Sequence, residues 1–118
     1  MNRNAEPSRP PAWDVLERAL VERRAVRAGY HGHERVLCPH ALGWKDGRAK
    51  LLAYQCGGTT STGALTPNIT QRWRSMFLDE LEHPTITDDH WETADNYSPD
   101  SNGIDHLALD VRQPSWRR

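Results

Sequence analysis

The chain has 118 residues, 36% of them hydrophobic, and its 15 Lys and Arg against 16 Asp and Glu leave a formal net charge of −1. This length is typical of one domain that buries a hydrophobic core without help from disulfides or metal ions. The near-zero net charge argues against purely electrostatic binding of nucleic acid. No stretch of the sequence approaches the ~20 apolar residues that span a bilayer. Because only two cysteines are present, Cys38 and Cys56, a disulfide framework of the secreted kind is excluded, and we expect a cytoplasmic protein without a membrane partner.

Residues 1–10 contain nothing to bury, so ordering them would cost entropy without compensation and we predict a flexible tail. The rest of the chain is predicted as a single domain over residues 11–112 with a basic tail over residues 113–118. Between residues 11 and 24, directly after a Pro-Pro pair that suits a helix start, apolar residues recur at spacings of three and four. This pattern predicts one amphipathic helix of about three to four turns.

After the helix the hydrophobic period becomes that of strands. Residues 26–30 alternate between apolar and polar side chains, as a half-buried strand requires, and a turn near Gly32 follows. Residues 35–38 are predicted as a second short strand that Pro39 ends, because proline cannot donate to a neighbouring strand. Residues 40–44 are then expected to form a connection.

The strand over residues 49–55 is predicted to be central, because it is apolar on both faces apart from Lys50 and its last residue. It follows Asp46-Gly47, a dipeptide typical of tight hairpin turns. The polar stretch over residues 57–71 is longer than most loops of compact domains, which indicates either a function or disorder.

Three further segments, residues 72–78, 81–86 and 104–111, show apolar residues at strand spacing and complete the predicted sheet. One helix followed by strands with mainly short connections predicts a mainly β fold with an N-terminal α-helix. The economical arrangement is a small SH3/Sm-like open barrel of about five antiparallel strands.

The charges are divided unevenly along the chain. Residues 1–74 hold twelve Arg and Lys against six Asp and Glu, whereas residues 75–111 hold ten acidic residues and no Arg or Lys. Such asymmetry bears on partners and self-association. Either the two halves pair with each other on one surface, or they dock between chains, which predicts a structural or assembly module that forms a homodimer or binds a protein partner.

Four segments resemble, in order and spacing, the WYL domain, a small SH3/Sm-like barrel module found mainly in bacterial transcriptional regulators. They are RAVRAGY at residues 24–30, CPHALG at 38–43, GRAKLLAY at 47–54 and WRSMFLD at 73–79. The Trp-Tyr-Leu triplet that names the family is Ala-Lys-Leu here, at residues 49–51, and the chain has room for one helix before the barrel. The resemblance is therefore to a stand-alone member that lacks the family's helix-turn-helix.

The resemblance implies a non-enzymatic ligand-sensing or regulatory module that binds a nucleotide or another anionic ligand, including nucleic acid, and needs no cofactor. Three positions carry over as ligand-binding residues. They are His40 after the proline, Lys50 in place of the family's tyrosine, and Arg74 in a strand that resembles the family's Arg-x-Phe-x-Leu pattern, in which Met76 replaces the phenylalanine.

The residues themselves also indicate an anion site. Arg72 and Arg74 share one face of a predicted strand, because the side-chain period is two, and pairing with the central strand is expected to bring Lys50 to them. Arginine offers a planar fork for phosphate, and Trp73 stacks a base if it reaches the surface. In the alternative interpretation, these cations solvate the outer face of the sheet and the aromatic residues fill the core.

A zinc site is the weaker alternative, because four side chains able to ligate the ion lie within ten positions: His31, His33, Cys38 and His40. Their spacing matches no known zinc signature, and exposed turn histidines beside a buried cysteine explain the same pattern. Catalysis finds little support, since no third group that would orient a cysteine and a histidine follows from the spacing. We expect a binding protein and not an enzyme.

Overall fold

The computed structural model describes residues 9–98 and 103–112. These residues contain one α-helix and seven β-strands: α1 (Ala12–Glu22), β1 (Val26–Tyr30), β2 (His33–Lys45), β3 (Arg48–Thr60), β4 (Gly63–Ala64), β5 (Trp73–Phe77), β6 (Leu81–Ile86) and β7 (His106–Asp110). The predicted basic tail, and all but the last two residues of the predicted N-terminal tail, lie outside the described residues.

Helix α1 begins after Pro11, as predicted, and ends where Arg23 adopts a left-handed backbone conformation with a φ of 55°. Its fully buried side chains follow the predicted spacing: Trp13, Leu16, Ala19 and Leu20. Trp13 stacks on Trp44 of β2, with 4.9 Å between the ring centroids. The helix therefore covers the sheet near the turn that follows β2.

Strands β2 and β3 form one long antiparallel hairpin. Its turn, Asp46-Gly47, has φ values of 51° and 80°, and positive φ at both central residues is what a two-residue hairpin turn of this kind requires. The predicted turn is confirmed. The predicted central strand is also confirmed, because residues 49–55 lie in β3 between β2 and β5.

The outer neighbours change along this hairpin, which curls the sheet. Near the turn, β7 pairs with β2 and β5 pairs with β3. Farther from the turn, β1 pairs with β2, β4 pairs with β3, and β6 lies beyond β1. All pairings are antiparallel and form a half-barrel whose main path has five strands, so the predicted mainly β fold with an N-terminal helix and an open antiparallel barrel is confirmed.

Strand β2 does not end at Pro39, and residues 40–44 are not a connection, so both predictions were wrong. β2 continues to Lys45, and its register against β3 shifts between Pro39 and Ala41. Pro39 lies after the last pair with β1 and before the first pair with β7. A proline is tolerated at such a bulge because the donor it lacks is not needed for a regular ladder.

The first part of the predicted loop over residues 57–71 is also a strand. β3 extends to Thr60 and returns through the two-residue strand β4, and a short 3-10 helix over Ile69–Gln71 then leads into β5. The stretch GGTT lacks the apolar residues by which a strand is recognised, but its backbone pairs with β2 on one side and β4 on the other.

Both faces of the sheet are covered. One face packs under α1 and forms the main core, which includes Leu37, Leu51 and Met76. The other face carries a smaller cluster around Cys38 and Tyr54, on which residues 91–97 pack. No helix in the described residues is long and apolar enough to cross a membrane.

Candidate anion-binding site

Three neighbouring strands bring two arginines to one glutamine. Gln55 on β3 is fully buried, and its Oε1 accepts hydrogen bonds from Nε of Arg74 on β5 at 3.1 Å and from Nη1 of Arg35 on β2 at 3.4 Å. Arg72, directly before β5, accepts a backbone hydrogen bond from Gln55 at 2.9 Å. We call Arg35, Arg72 and Arg74, gathered around Gln55, the arginine cluster.

The backbone of β3 fixes the orientation of the Gln55 amide. Its Nε2 donates to the carbonyl oxygens of Gly57 and Thr59, each at 2.9 Å, so Oε1 must face the arginines. The backbone between these two carbonyls requires a glycine at position 58, since the φ of Gly58 is +82° and a Cβ there would collide with the backbone oxygen of Glu34. The amide therefore presents an acceptor to two cations without carrying a charge itself.

Arg35 is the most buried member of the cluster. Only 4% of its surface is exposed, and its Nε is buried without a hydrogen-bond partner in the described residues. Its guanidinium lies 5.2 Å from the centroid of the Tyr30 ring. Burial lowers the pKa of Arg35, which is the expected direction for a cation that is removed from water.

Arg72 and Arg74 lie closer to the surface, and backbone oxygens hold both of them. Arg72 donates from Nε to the carbonyl of Thr66 at 2.7 Å, and Arg74 donates from Nη1 to the carbonyls of Gln71 and Trp73. Burial lowers the pKa of Arg74, and the positive charges of Arg35 and Arg72 lower it further. The three cations therefore destabilise one another.

No carboxylate compensates this charge in the part of the chain that the structure describes. Five other arginines each form an ion pair with an acidic side chain: Arg18, Arg24, Arg27, Arg48 and Arg112. The arginine cluster forms none among residues 9–98 and 103–112, although Arg35 is more buried than any of those five arginines. Buried charges are usually paired, so the cluster departs from the pattern of the rest of the molecule.

The other predicted ligand residues lie on the opposite face of the sheet. Residue pairs between β3 and β5 place Lys50 opposite Phe77 and Ala53 opposite Arg74, and side chains alternate between faces along a strand. Lys50 lies over the Phe77 ring, with Nζ 4.3 Å from its centroid. The expectation that strand pairing would bring Lys50 to the two arginines was therefore wrong.

His40 and Trp73 meet in a second group of side chains, the aromatic cluster, on the face that residues 91–97 cover. Its members are His40, Tyr54, Trp73, Trp91 and Tyr97. Trp91 stacks on the His40 ring at 4.6 Å between centroids, and Trp73 meets that ring edge to face at 4.7 Å. The Nε1 of Trp73 donates to Oδ1 of Asn96 at 2.8 Å.

His40 is neutral and fully hydrogen-bonded in this cluster. Its Nδ1 donates to the carbonyl oxygen of Cys38 at 2.7 Å, and its Nε2 accepts from the hydroxyl of Thr93 at 2.8 Å. Burial lowers the pKa of His40 to about 4, against the opposing effect of the hydrogen bond to Cys38. Such a histidine has no ring nitrogen left for a ligand, and its binding role stays a prediction from the resemblance.

The four proposed zinc ligands have separate partners. His31 pairs with Glu80 and His33 contacts the Thr59 hydroxyl, whereas Cys38 and His40 lie inside the sheet. The described residues contain no group of three or more His, Cys, Asp or Glu side chains that could hold a metal ion.

The basic and acidic halves of the sequence meet within the chain. Arg24 and Arg27 pair with acidic residues that follow β6, and Arg48 pairs with Asp79 and Glu80. These contacts agree with the interpretation in which the two halves pair on one surface. Docking between chains stays a prediction.

The sequence indicated Arg72 and Arg74 but missed Arg35 and Gln55. Both missed residues are polar positions within strands, and Gln55 ends a segment that is otherwise almost wholly apolar. The position of Gln55 in that segment was the signal that could have identified it, because a buried amide needs hydrogen-bond partners. No family model, no curated protein and no solved structure matches this chain.

Proposed function

We propose that this protein is a non-enzymatic binding module that holds a phosphate-bearing ligand at the arginine cluster. The observation that carries the proposal is the uncompensated charge of the buried Arg35 and the half-buried Arg74, which share one neutral acceptor, Oε1 of Gln55. An anion that binds there supplies the countercharge that the described residues lack.

The donors suit phosphate. Arginine guanidinium groups present planar pairs of N–H groups that match phosphate oxygens. In the described residues, Arg72 uses only Nε, so its two terminal nitrogens are unengaged, as is Nη2 of Arg74. Both side chains are half-buried and reachable from solvent, so a ligand meets them first and draws on the charge of Arg35 behind them.

Four strand segments resemble the WYL domain in order and spacing, and this resemblance supports the proposal of anion binding because it implies a module that senses an anionic ligand. We propose on this ground that the chain is a WYL-like regulatory domain. Its ligand site is expected at the arginine cluster, since Lys50 and His40 lie on the opposite face. Trp73 lies on that opposite face too, so a base that accompanies the phosphate has to be recognised by other residues.

The test is thermal unfolding in the presence of inorganic pyrophosphate, a nucleoside monophosphate or a short single-stranded oligonucleotide, against sodium chloride at equal ionic strength. At a ligand concentration of 100 Kd, the free energy of unfolding should rise by about 2.7 kcal/mol. Arg74→Gln should weaken the affinity roughly tenfold to a hundredfold, as expected for a hydrogen bond to a charged group.

Arg27→Gln is the matched control, because Arg27 is an exposed arginine whose Nε pairs with Asp89 at 3.1 Å, away from the cluster. It should leave the stabilisation by pyrophosphate unchanged. Equal losses in Arg27→Gln and Arg74→Gln would mean that the anions act on overall charge and would contradict a site at the arginine cluster.

A further inference from the structure

The two cysteines of the chain meet across the β2–β3 hairpin. Cys38 lies in β2 and Cys56 in β3, and their sulfur atoms are 3.3 Å apart. Both are free thiols. A disulfide has a sulfur separation of about 2.05 Å, so bond formation needs the sulfurs to approach by only about 1.3 Å.

A bulge brings them together. The residue pairs run from Val36 opposite Gly57 directly to Leu37 opposite Gln55, which leaves Cys56 as the extra residue of β3. A bulged residue is not held in a regular pair and its side chain is redirected. In this case it is directed at Cys38.

The surroundings distinguish the two sulfurs. Cys38 is fully buried, donates its thiol hydrogen to the Cys56 sulfur and accepts a hydrogen bond from the backbone N–H of Glu92 at 3.2 Å. Cys56 is half-buried and lies 3.9 Å from the carbonyl oxygen of His90. The hydrogen bond from Cys38 lowers the pKa of Cys56, whereas the same contact, with burial, raises the pKa of Cys38.

We infer that Cys38 and Cys56 form a redox modification site that hydrogen peroxide converts into an intramolecular disulfide and that a dithiol reductant restores. Cys56, the more accessible sulfur, is the attacking group and Cys38 is the resolving thiol. The inference stands on the sulfur separation, the bulge and the difference in exposure, and it does not depend on the proposed anion site.

The chemistry balances with one peroxide molecule. The Cys56 thiolate attacks a peroxide oxygen, so that an S–O bond forms, the O–O bond breaks and hydroxide leaves, which gives a sulfenic acid. The Cys38 sulfur then attacks the Cys56 sulfur, so that the S–S bond forms, the S–O bond breaks and water leaves with the thiol proton. Two thiols are oxidised and the peroxide is reduced to two molecules of water.

The experiment treats the reduced full chain with hydrogen peroxide and then counts thiols under denaturing conditions, alongside intact mass. The expected result is a monomer without free thiols whose mass is lower by about 2 Da, the two hydrogen atoms lost, and dithiothreitol restores both thiols. Native protein that keeps both thiols under peroxide, or that loses them only as chain-to-chain dimers, would overturn the inference.

Two variants separate the roles. Cys38→Ala removes the resolving thiol, so Cys56 should accumulate as a sulfenic acid that dimedone traps. Cys56→Ser leaves Cys38 behind the residues that cover it, and its oxidation should be at least tenfold slower than that of Cys56 in the first variant. Equal rates for the two single cysteines would contradict the assigned order.

Discussion

Between pH 6.5 and pH 4, the free energy of unfolding is expected to fall by about 3 kcal/mol through His40 alone. The pKa of His40 is lowered from 6.5 to about 4, chiefly by burial, and each pKa unit corresponds to about 1.4 kcal/mol. Between these pH values His40 is protonated in the unfolded chain and neutral in the folded chain, so the free energy of unfolding rises with pH. The contribution is complete above pH 6.5 and is lost as the pH falls towards 4.

The contacts of His40 explain why the fold resists its protonation. His40 is 1% exposed and its ring packs against Trp73 and Trp91, so protonation would place a charge where water cannot solvate it. The positive charge of Arg23 opposes protonation and the negative charge of Asp110 favours it, but both act less strongly than burial.

Urea denaturation of the wild type and His40→Gln at several pH values measures this effect, because the difference between the two removes every other titrating group. His40→Gln should be less stable than the wild type at pH 7 and should lose less stability on acidification. The prediction fails if the two proteins show the same slope between pH 6.5 and 4, or if the ring resonances of His40 titrate near 6.5.

Trp13→Ala should destabilise the protein by about 3–5 kcal/mol, the usual cost of truncating a buried tryptophan. Trp13 is 1% exposed and stacks on Trp44 at an interplanar angle of 16°, which joins α1 to the hairpin. Its removal leaves a cavity between the helix and the sheet, and also removes the hydrogen bond that Glu17 accepts from the indole Nε1 at 2.9 Å.

Chemical denaturation of three variants separates these contributions. Glu17→Gln keeps an acceptor for the indole at this half-buried position and leaves the tryptophan ring in place, so it should cost less stability than Trp13→Ala. Trp13→Phe should lie between Glu17→Gln and Trp13→Ala. A loss below about 1 kcal/mol for Trp13→Ala would contradict the docking of α1 on the main core.

The elements that the sequence predicted well are those whose signal is local. The helix follows from the spacing of its apolar residues, and the hairpin turn follows from Asp46-Gly47, because positive φ at both residues is a property of that dipeptide. The prediction that a strand ends at Pro39 was wrong because the effect of a proline is not local. Its effect on a strand depends on what lies at that edge, and β2 passes from β1 to β7 at that point.

The candidate site was predictable only where side chains belong to one strand. The spacing of two between Arg72 and Arg74 indicated that they lie together, although β5 begins only at Trp73 and the charge of Arg72 reaches Arg74 from the residue before the strand. Their relation to Lys50 depends on the register between β3 and β5, which is a tertiary property, and a shift of one residue would move Lys50 to the other face. Arg35 comes from a third strand, so nothing local connected it with Arg74.

The dithiol pair shows the same limit. Cys38 and Cys56 are separated by a turn and most of two strands, and regular pairing places Cys38 opposite Tyr54. Only the extra residue in β3 brings the sulfurs within 3.3 Å. Bulges of this kind depend on the packing of several strands, and no single segment of the sequence contains their signal.

Isothermal titration of inorganic pyrophosphate into the wild type, Arg74→Gln and Arg27→Gln measures whether the arginine cluster binds phosphate groups. The arginine cluster predicts a saturable isotherm with one pyrophosphate per chain for the wild type and for Arg27→Gln, and an affinity roughly tenfold to a hundredfold weaker for Arg74→Gln. An isotherm that is the same for the wild type and Arg74→Gln, or the absence of binding by the wild type, would contradict the proposed binding site.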